Sequence, residues 1–393
     1  MSKGEFAIIG TGEVPVGKYP DRSPLEIACR VSKLAIEDAG IKKDDIDMVF
    51  TAMAILDSEF NGDLIVGRIP EALGLLKSCK FQAVTMAGGS TSYALRKMAE
   101  GVLASGEAEM VLAVHAQRFS AFSLSEQLEF FAKAGTDPQW ETPYGISFNA
   151  LAGMVTQRFM YETGTTAEQV ASVCVSARKW AALQENAMFK KDLTVEEVLK
   201  SKMVTTPLTA LMCNVLADGG SAFLMTTAER ARKIVDKRVY ILGEGSDFTH
   251  SSLTVCKDLT MYSVIKGVAE AAYKESGLGP NDMDIAEIYG AYPVFALMLL
   301  EGMGFCKRGE AGRFVLEGNT WPGGKLPMST NGEAMSYGHT GTGVGIACLV
   351  ESVRQLQGKA KKAQVPGARF LMEECGGGAY MDWHCTVLGN EIP

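Results

Sequence analysis

Apolar residues recur along this chain with helical and strand periods, and the most informative stretch of that pattern occurs twice. Ala35-Ile-Glu-Asp-Ala-Gly40-Ile-Lys-Lys-Asp-Asp45-Ile-Asp47 is echoed by Ala272-Tyr-Lys-Glu-Ser-Gly277-Leu-Gly-Pro-Asn-Asp282-Met-Asp284. Each copy predicts an amphipathic helix stopped by a C-terminal glycine, then a short loop into an apolar strand, Met48 to Ala54 and Ile285 to Ala291. Two copies imply two similar halves. Each half then continues alike. Ala87-Gly-Gly-Ser90 opens a helix running to about Ser105, followed by a strand over Glu109 to Ala116. Gly338-His339-Thr-Gly-Thr-Gly-Val-Gly345 opens a helix to about Gln357, followed by a strand over Ala368 to Cys375. Strands alternating with helices predict an α/β fold, duplicated, around a mostly parallel sheet covered on both faces.

Between the halves, residues 118–211 show helical periodicity (Ile146 to Glu162, Ala167 to Leu183) after an aromatic opening, Phe119 to Trp140. The stretch is long for a connection and reads as an inserted lid. The expected division is 1–117 plus 212–235 for the first half, 118–211 for the insertion and 236–393 for the second half.

Composition supports such a core, with 47% hydrophobic and 21% charged residues over 393 positions. A net charge of -8 and the lack of a long Lys/Arg run argue against nucleic acid; the densest basic patch, Lys359 to Lys362, reads as a solvated turn. Nine cysteines without CxxC spacing indicate neither a disulfide framework nor a zinc ribbon, and four histidines make a His-rich metal site unexpected. Met1 to Phe6 is short and polar, and Ala7 to Gly10 is too brief to insert in a membrane, so a cytoplasmic, non-membrane protein is expected.

Segments spread over essentially the whole chain resemble the thiolase superfamily. They are Ala7 to Val16, Gln157 to Thr166, Pro207 to Cys213 leading to Asp218-Gly-Gly, Gly323-Gly-Lys through Gly338-His339-Thr-Gly-Thr-Gly, Gln364 to Arg369, and Cys375-Gly-Gly-Gly-Ala. The pattern looks nearest to the sterol-carrier-protein type and archaeal branches. Within them it is similar to subunits that work with a small OB-fold, zinc-ribbon companion: benzoylsuccinyl-CoA thiolase of anaerobic toluene degradation, and steroid side-chain retro-aldolases. The resemblance implies a layered α-β-α-β-α arrangement with an inserted loop domain, a homodimeric core, and CoA and acyl-CoA as substrates. The leading activity is CoA-dependent cleavage, or the reverse condensation, of a 3-oxoacyl-CoA such as benzoylsuccinyl-CoA. The alternatives are a retro-aldolase acting on a 3-hydroxyacyl-CoA and a non-catalytic CoA-binding scaffold.

Thiolytic cleavage needs a nucleophile, a base and donors for the thioester oxyanion. The two Gly-rich helix starts offer unpaired N–H groups and positive dipole ends, and Gly338 and Gly377 are the candidate cofactor-binding glycines. His339 matches the family histidine that activates the nucleophile and stabilises the thioester oxygen; its glycine frame lets backbone approach a ligand closely, whereas the alternative is a satisfied structural histidine. Cys375 resembles the family's acid/base cysteine, but the usual spacing is Cys-x-Gly-Gly-Gly and here the cysteine touches the glycines directly. A one-residue slip on a strand turns a side chain to the other face, and a buried thiol is the alternative.

The nucleophilic cysteine is missing. In Val84-Thr-Met-Ala-Gly-Gly-Ser-Thr-Ser, one count puts Gly89 in its slot and another Met86. Cys79 lies upstream on the preceding segment. Ser90 is a candidate hydroxyl nucleophile or donor, weighed against the helix N-cap role that serine favours. Tyr289, in Ala286-Glu-Ile-Tyr289-Gly-Ala-Tyr292-Pro, stands where related thiolases have Asn or His; it can donate to an enolate, and the retro-aldolases resemble this chain in having tyrosine there. Tyr292 reads as buried packing. Arg178 and Lys179 are candidates for the CoA phosphates, against the reading of a solvated helix face. Without the cysteine, direct attack by CoA thiolate is the expected substitute for an acyl-enzyme.

Overall fold

The computed structural model describes residues 3–52, 62–85, 87–123, 125–127, 136–378 and 380–393. The predicted strand end at Met53 and Ala54, the slot candidate Met86 and part of the aromatic opening of the insertion lie outside the described residues. The strands are β1 (Phe6–Glu13), β2 (Met48–Ala52), β3 (Phe81–Thr85), β4 (Met110–Gln117), β5 (Met203–Thr205), β6 (Leu208–Thr209), β7 (Gly219–Thr227), β8 (Val239–Phe248), β9 (Ile285–Ile288), β10 (Phe370–Gly377) and β11 (Asp382–Gly389). The helices used below are α1 (Pro24–Ala39), α2 (Gly62–Leu73), α3 (Thr91–Ala104), α4 (Phe148–Thr163), α5 (Ala167–Ala181), α6 (Val195–Lys200), α7 (Ala228–Ile234), α8 (Tyr262–Ser276), α9 (Pro293–Gly302), α10 (Ala311–Leu316) and α11 (Val344–Gln357).

Nine strands run in the order β3-β2-β4-β7-β1-β8-β11-β10-β9. The expectation of a mostly parallel sheet is corrected. Only β2 with β3, β2 with β4, and β9 with β10 are parallel, while β4/β7, β7/β1, β1/β8, β8/β11 and β11/β10 are antiparallel. For β10 and β11 the cause is connection length. The link from β10 to β11 is too short for a crossover, and a parallel pair needs a dozen or more residues.

The halves meet edge to edge through two residue pairs, Ala7 with Tyr240 and Ile8 with Val239. Alternation along each strand then divides the core. Ile8, Phe50, Val111, Phe223 and Leu371 face a cluster shared with Leu95 and Ala99 of α3 and with Ile346, Leu349 and Val353 of α11. Ala7, Ile9, Val49 and Met372 face the other way, toward α1, α8, α9 and the insertion. The central pair of helices therefore sits between strands of both halves, giving the α-β-α-β-α layering.

The duplication is visible atom by atom. Gly40 and Gly277 end α1 and α8 at φ 65° and φ 70°. Asp47 caps the start of β4 by accepting from the N–H groups of Glu109 and Met110, at 2.7 and 2.9 Å. Its counterpart Asp284 does the same for β10, accepting from Arg369 and Phe370 at 2.7 and 3.1 Å. Glycines also recur where helix meets strand: a Cβ at Gly10 would press on Ala35 of α1, and one at Gly243 on Ala272 of α8.

The stretch between β4 and β7 contributes α4, α5, α6 and the small β5-β6 hairpin. Beneath it lies α9, buried on every face, as expected of a helix that is apolar all round. Pro293 at its first position fixes where that helix begins and so holds Tyr292 and Tyr289 at the end of β9. Among the described residues no helix is long and apolar enough to cross a membrane.

Candidate active site

The turn before α3 and the start of α11 abut each other in the central layer. A Cβ at Gly345 would lie 2.9 Å from Ser92 Oγ and would overlap the carbonyl of Gly89. The two glycine-rich helix starts that the sequence singles out are thus brought together. The turn itself is held by Thr91, whose hydroxyl accepts from Ala87 N–H at 3.0 Å and donates to Gly88 carbonyl at 2.7 Å.

His339 is fixed by its backbone. Its N–H donates to Val215 carbonyl at 2.7 Å, and its carbonyl accepts from Ala217 at 3.0 Å. Gly338 precedes it at φ 115°, with Val16 and Met188 packed where a Cβ would be. The imidazole Nδ1 accepts from Gly341 N–H at 3.1 Å, which places the proton of the neutral ring on Nε2. That nitrogen lies 2.9 Å from the Tyr289 hydroxyl. Burial lowers the His339 pKa to about 4, with its own backbone pulling upward and nearby His115 adding to the depression. The ring is neutral at physiological pH, so Nε2–H donates to Tyr289 Oη and the phenolic proton is directed elsewhere. No sequence motif marks His115. It is fully buried on β4, its Nε2 donates to Thr340 carbonyl at 2.7 Å, and its ring holds the turn after His339 in place.

Tyr289 leaves β9 with its N–H donating to Glu374 carbonyl at 3.1 Å. Its ring bears on the count that puts the missing cysteine at Gly89. A Cβ built on Gly89 would stand 2.6 Å from Tyr289 Cδ1, nearer still to Cε1, and against the carbonyl of Gly376. The Gly89 slot is therefore filled by the Tyr289 ring. Burial, chiefly, raises the Tyr289 pKa, followed by Cys348, Glu333, Glu374 and Cys375, so the phenol stays a donor.

Glu333 lies beneath this pair. It begins a wide π-type turn, Glu333–Tyr337, at φ 57°, a conformation rare for a non-glycine residue. Its carboxyl accepts from Ser329 Oγ at 2.8 Å and from Gly290 N–H at 3.1 Å, which pins the residue after Tyr289. Burial raises its pKa to about 8.

Cys375 shares a strand face with Leu371 and points at the central helices, on the side of Ser92. It is fully enclosed, and burial followed by Glu373 and Glu374 pushes its pKa well up, so it remains a thiol. Two places before the first glycine of the run stands Glu374. Its face is the opposite one, and its carboxyl oxygens have no hydrogen-bond partner among the described residues.

For Ser90, the N-cap reading is corrected. The residue occupies the cap position of α3, but its hydroxyl makes no cap bond. It lies 2.6 Å from Ala87 carbonyl and 2.7 Å from Asp382 Oδ2. Asp382 Oδ1 in turn accepts from Gly377 N–H at 2.5 Å. Ser90 and Asp382 bolt the turn before α3 to the glycine run after β10, and the Gly377 amide is engaged inside the protein rather than offered to a ligand. His384 extends the chain of contacts, 3.2 Å from Asp382 Oδ2 and stacked on Tyr93 at 4.1 Å.

The proposed CoA cations also have partners in the protein. Arg178 is buried, donates to Ser336 Oγ and Lys191 carbonyl, both at 3.0 Å, and covers the Phe189 ring. Lys179 Nζ sits 4.5 Å from the Trp321 ring centroid. Tyr292, read as packing, is buried but also donates to Asn149 Oδ1 of the insertion at 2.6 Å.

Comparison with known proteins agrees with this architecture. Residues 6–229 match the model of the thiolase N-terminal domain, and residues 245–390 match the thiolase C-terminal domain-like model. The chain therefore belongs to the thiolase family, a family of acyl-CoA acyltransferases. Acetyl-CoA acetyltransferase of Methanothermobacter thermautotrophicus is 31% identical, covering 95% of this chain and 96% of its own. The steroid side-chain-cleaving aldolase of Thermomonospora curvata is 32% identical, with 90% and 91% covered. Benzoylsuccinyl-CoA thiolase subunit BbsB of Thauera aromatica is 30% identical, with 94% of each covered. Among solved structures, the Ltp2-ChsH2(DUF35) aldolase superposes with a TM-score of 0.85 at 28% identity, covering 99% of both chains.

Proposed function

We propose that this protein makes or breaks the carbon-carbon bond beside a CoA thioester without forming an acyl-enzyme, and that retro-aldol cleavage of a 3-hydroxyacyl-CoA is its reaction. The observation that carries this reading is the Tyr289 ring in the Gly89 slot, hydrogen-bonded to His339. An acyl-enzyme needs a nucleophile there, whereas a retro-aldol step needs a proton carrier at the oxygen on the third carbon and a sink for the enolate. In the condensation direction Tyr289 donates its phenolic proton to the carbonyl oxygen as the bond forms. His339 Nε2–H steadies the phenolic oxygen, which recovers a proton from the second carbon of the acyl-CoA as that carbon becomes the nucleophile. In cleavage the 3-hydroxyl proton passes to Tyr289 Oη while the phenolic proton passes to the second carbon, so Tyr289 begins and ends as a phenol. His339 thus has a role in an aldolase as well as in a thiolase. The helix starts at Gly89 and Gly345 are the candidate surroundings of the thioester oxygen.

A second reading is CoA-dependent cleavage of a 3-oxoacyl-CoA, benzoylsuccinyl-CoA in particular, by direct attack of CoA thiolate. The match of His339 to the thiolase histidine and the 30% identity to BbsB favour it. For either reaction we propose a cytoplasmic homodimer working with a small OB-fold, zinc-ribbon companion; support for a companion is the solved aldolase named as a pairing of Ltp2 with ChsH2(DUF35). CoA would lie along the insertion, with Gly338 rather than the engaged Gly377 near the thioester.

The test supplies 3-hydroxy-3-phenylpropanoyl-CoA without free CoA, and 3-oxo-3-phenylpropanoyl-CoA with CoA, each with and without the companion. Benzaldehyde and acetyl-CoA from the first substrate support the aldolase. Two thioesters from the second alone replace it with the thiolytic reading, and no turnover of either makes the chain a scaffold.

A further inference from the structure

Tyr380 lies in the turn between β10 and β11, two residues beyond Gly378, outside every motif of the candidate site. Its backbone has φ 61°, in the left-handed region that bulky side chains avoid. Such strain persists only where the surroundings fix it, and it clusters at functional sites. The surroundings here are aromatic. The ring stacks on Phe295 of α9 with centroids 4.0 Å apart, and Phe148, the first residue of α4, meets it edge-on at 6.1 Å. The ring is therefore clamped between the core and the insertion.

The hydroxyl is the unusual part. Tyr380 is only 8% exposed, yet its Oη has no hydrogen-bond partner among the described residues. A buried hydroxyl left unpaired destabilises a protein, and phenylalanine would fill the same space without that penalty. Phe295 also meets the Tyr292 ring edge-on at 6.4 Å, and Gly378 abuts Gly88, the neighbour of the Gly89 position that the Tyr289 ring fills, so the turn carrying Tyr380 lies beside the phenols of the site. Burial chiefly raises its pKa, with further contributions from Tyr292, Tyr289 and Cys213. Of these, the Tyr292 hydroxyl is already donated to Asn149. Among the described residues, the phenolic protons of Tyr289 and Tyr380 are left without an acceptor.

We propose that Tyr380 is a further catalytic residue, the second donor of a two-phenol pocket in which Tyr289 and Tyr380 together hold the oxygen on the third carbon of the acyl chain. This deepens the reading of the site as one for CoA esters oxygenated at that carbon, and rests on it. Two converging donors are the usual requirement for stabilising charge that develops on an oxygen.

The test is a binding cycle that needs no turnover. Dissociation constants are measured by calorimetry for 3-oxo-3-phenylpropanoyl-CoA and for 3-phenylpropanoyl-CoA, which lacks the oxygen. Free CoA is absent, so neither ligand can be cleaved by the reactions considered. Wild type should bind the oxo compound about 5-fold or more tightly than the deoxy compound, the size of one or two neutral hydrogen bonds. Tyr380→Phe should lose most of that preference, with a melting temperature no lower than wild type. A variant that keeps the wild-type preference, or that melts several degrees lower, overturns the assignment, as does a wild type that binds both ligands equally. A wild type that binds neither overturns the CoA-ester reading itself, and this proposal with it.

Discussion

Replacing Gly89 by cysteine should fail to restore a nucleophile and should instead destabilise the protein. The new Cβ would stand 2.6 Å from Tyr289 Cδ1 and closer to Cε1, with the Gly376 carbonyl on its other side. Carbon atoms pack at about 3.5–4.0 Å, so the ring has to retreat by roughly 1 Å or more. The Tyr289–His339 hydrogen bond, 2.9 Å long, does not survive such a shift with useful geometry. Overpacking contributes about 1–3 kcal/mol and the lost hydrogen bond about 1 kcal/mol, so about 2–4 kcal/mol in all. At this chain length each kcal/mol moves the melting midpoint by about 1 °C, giving a drop of about 2–5 °C by scanning calorimetry. Combining the change with Tyr289→Ala should recover part of the loss, as a coupling energy of about 1–3 kcal/mol, the remainder being the Gly376 carbonyl. A Gly89→Cys protein that melts like wild type and takes up an acyl group from acyl-CoA would show the slot to be open and the reasoning wrong.

Three further outcomes are expected. Tyr289→Phe keeps the ring in the slot but removes the donor, so turnover should fall by about 10²–10³ in kcat with little change in melting; a loss under about threefold, measured by product formation, contradicts the role given to the hydroxyl. Ser90→Ala removes a partner of buried Asp382 and should lower stability by about 1–3 kcal/mol in denaturant titration while leaving turnover within about tenfold. Abolished turnover in that variant would return Ser90 to the nucleophile role. Glu333→Gln tests a pH effect. The Glu333 pKa is raised to about 8 from an ordinary 4.5, so the folded state holds a proton that the unfolded chain releases, and this group's stabilisation is lost as pH rises through 8. His115 and His339, lowered to about 4, act oppositely between about pH 4 and 6.5. Between pH 6.5 and 8 the histidines drop out, and Glu287, Glu373 and Glu374, which burial also raises, are common to both proteins. The variant should therefore lose a stability slope of at most about 1.4 kcal/mol per pH unit relative to wild type; identical slopes for the two proteins would remove Glu333 from the account.

How much of the molecule is legible in the sequence depends on how locally each feature is encoded. The duplicated helix stop at Gly40 and Gly277, with Asp47 and Asp284 one short turn later, is written in adjacent residues and can be read from them alone. The helices of the insertion are legible for the same reason: α4 and α5 follow the expected periodicity to within two residues at each end. Strand direction is not local. Nothing in Asp382 to Gly389 announces a hairpin partner for β10, and without it the sheet reads as parallel. The site is obscured for the same reason. A gap at Gly89 is visible in the sequence, but the ring that fills it comes from Tyr289, and the carboxylate that engages Ser90 comes from Asp382. Spacing rules follow one segment at a time, and these contacts exist only once the two halves face each other across α3 and α11.

The central claim, chemistry at the Tyr289–His339 pair with no acyl-enzyme, is tested most directly by rapid quenching. The protein is mixed with 3-hydroxy-3-phenylpropanoyl-CoA or 3-oxo-3-phenylpropanoyl-CoA, stopped in acid during turnover, and weighed by intact-protein mass spectrometry. The account predicts unmodified protein at every time point while benzaldehyde and acetyl-CoA accumulate from the hydroxy substrate without added CoA. An acetyl or benzoyl adduct that forms and decays at the rate of turnover would contradict it.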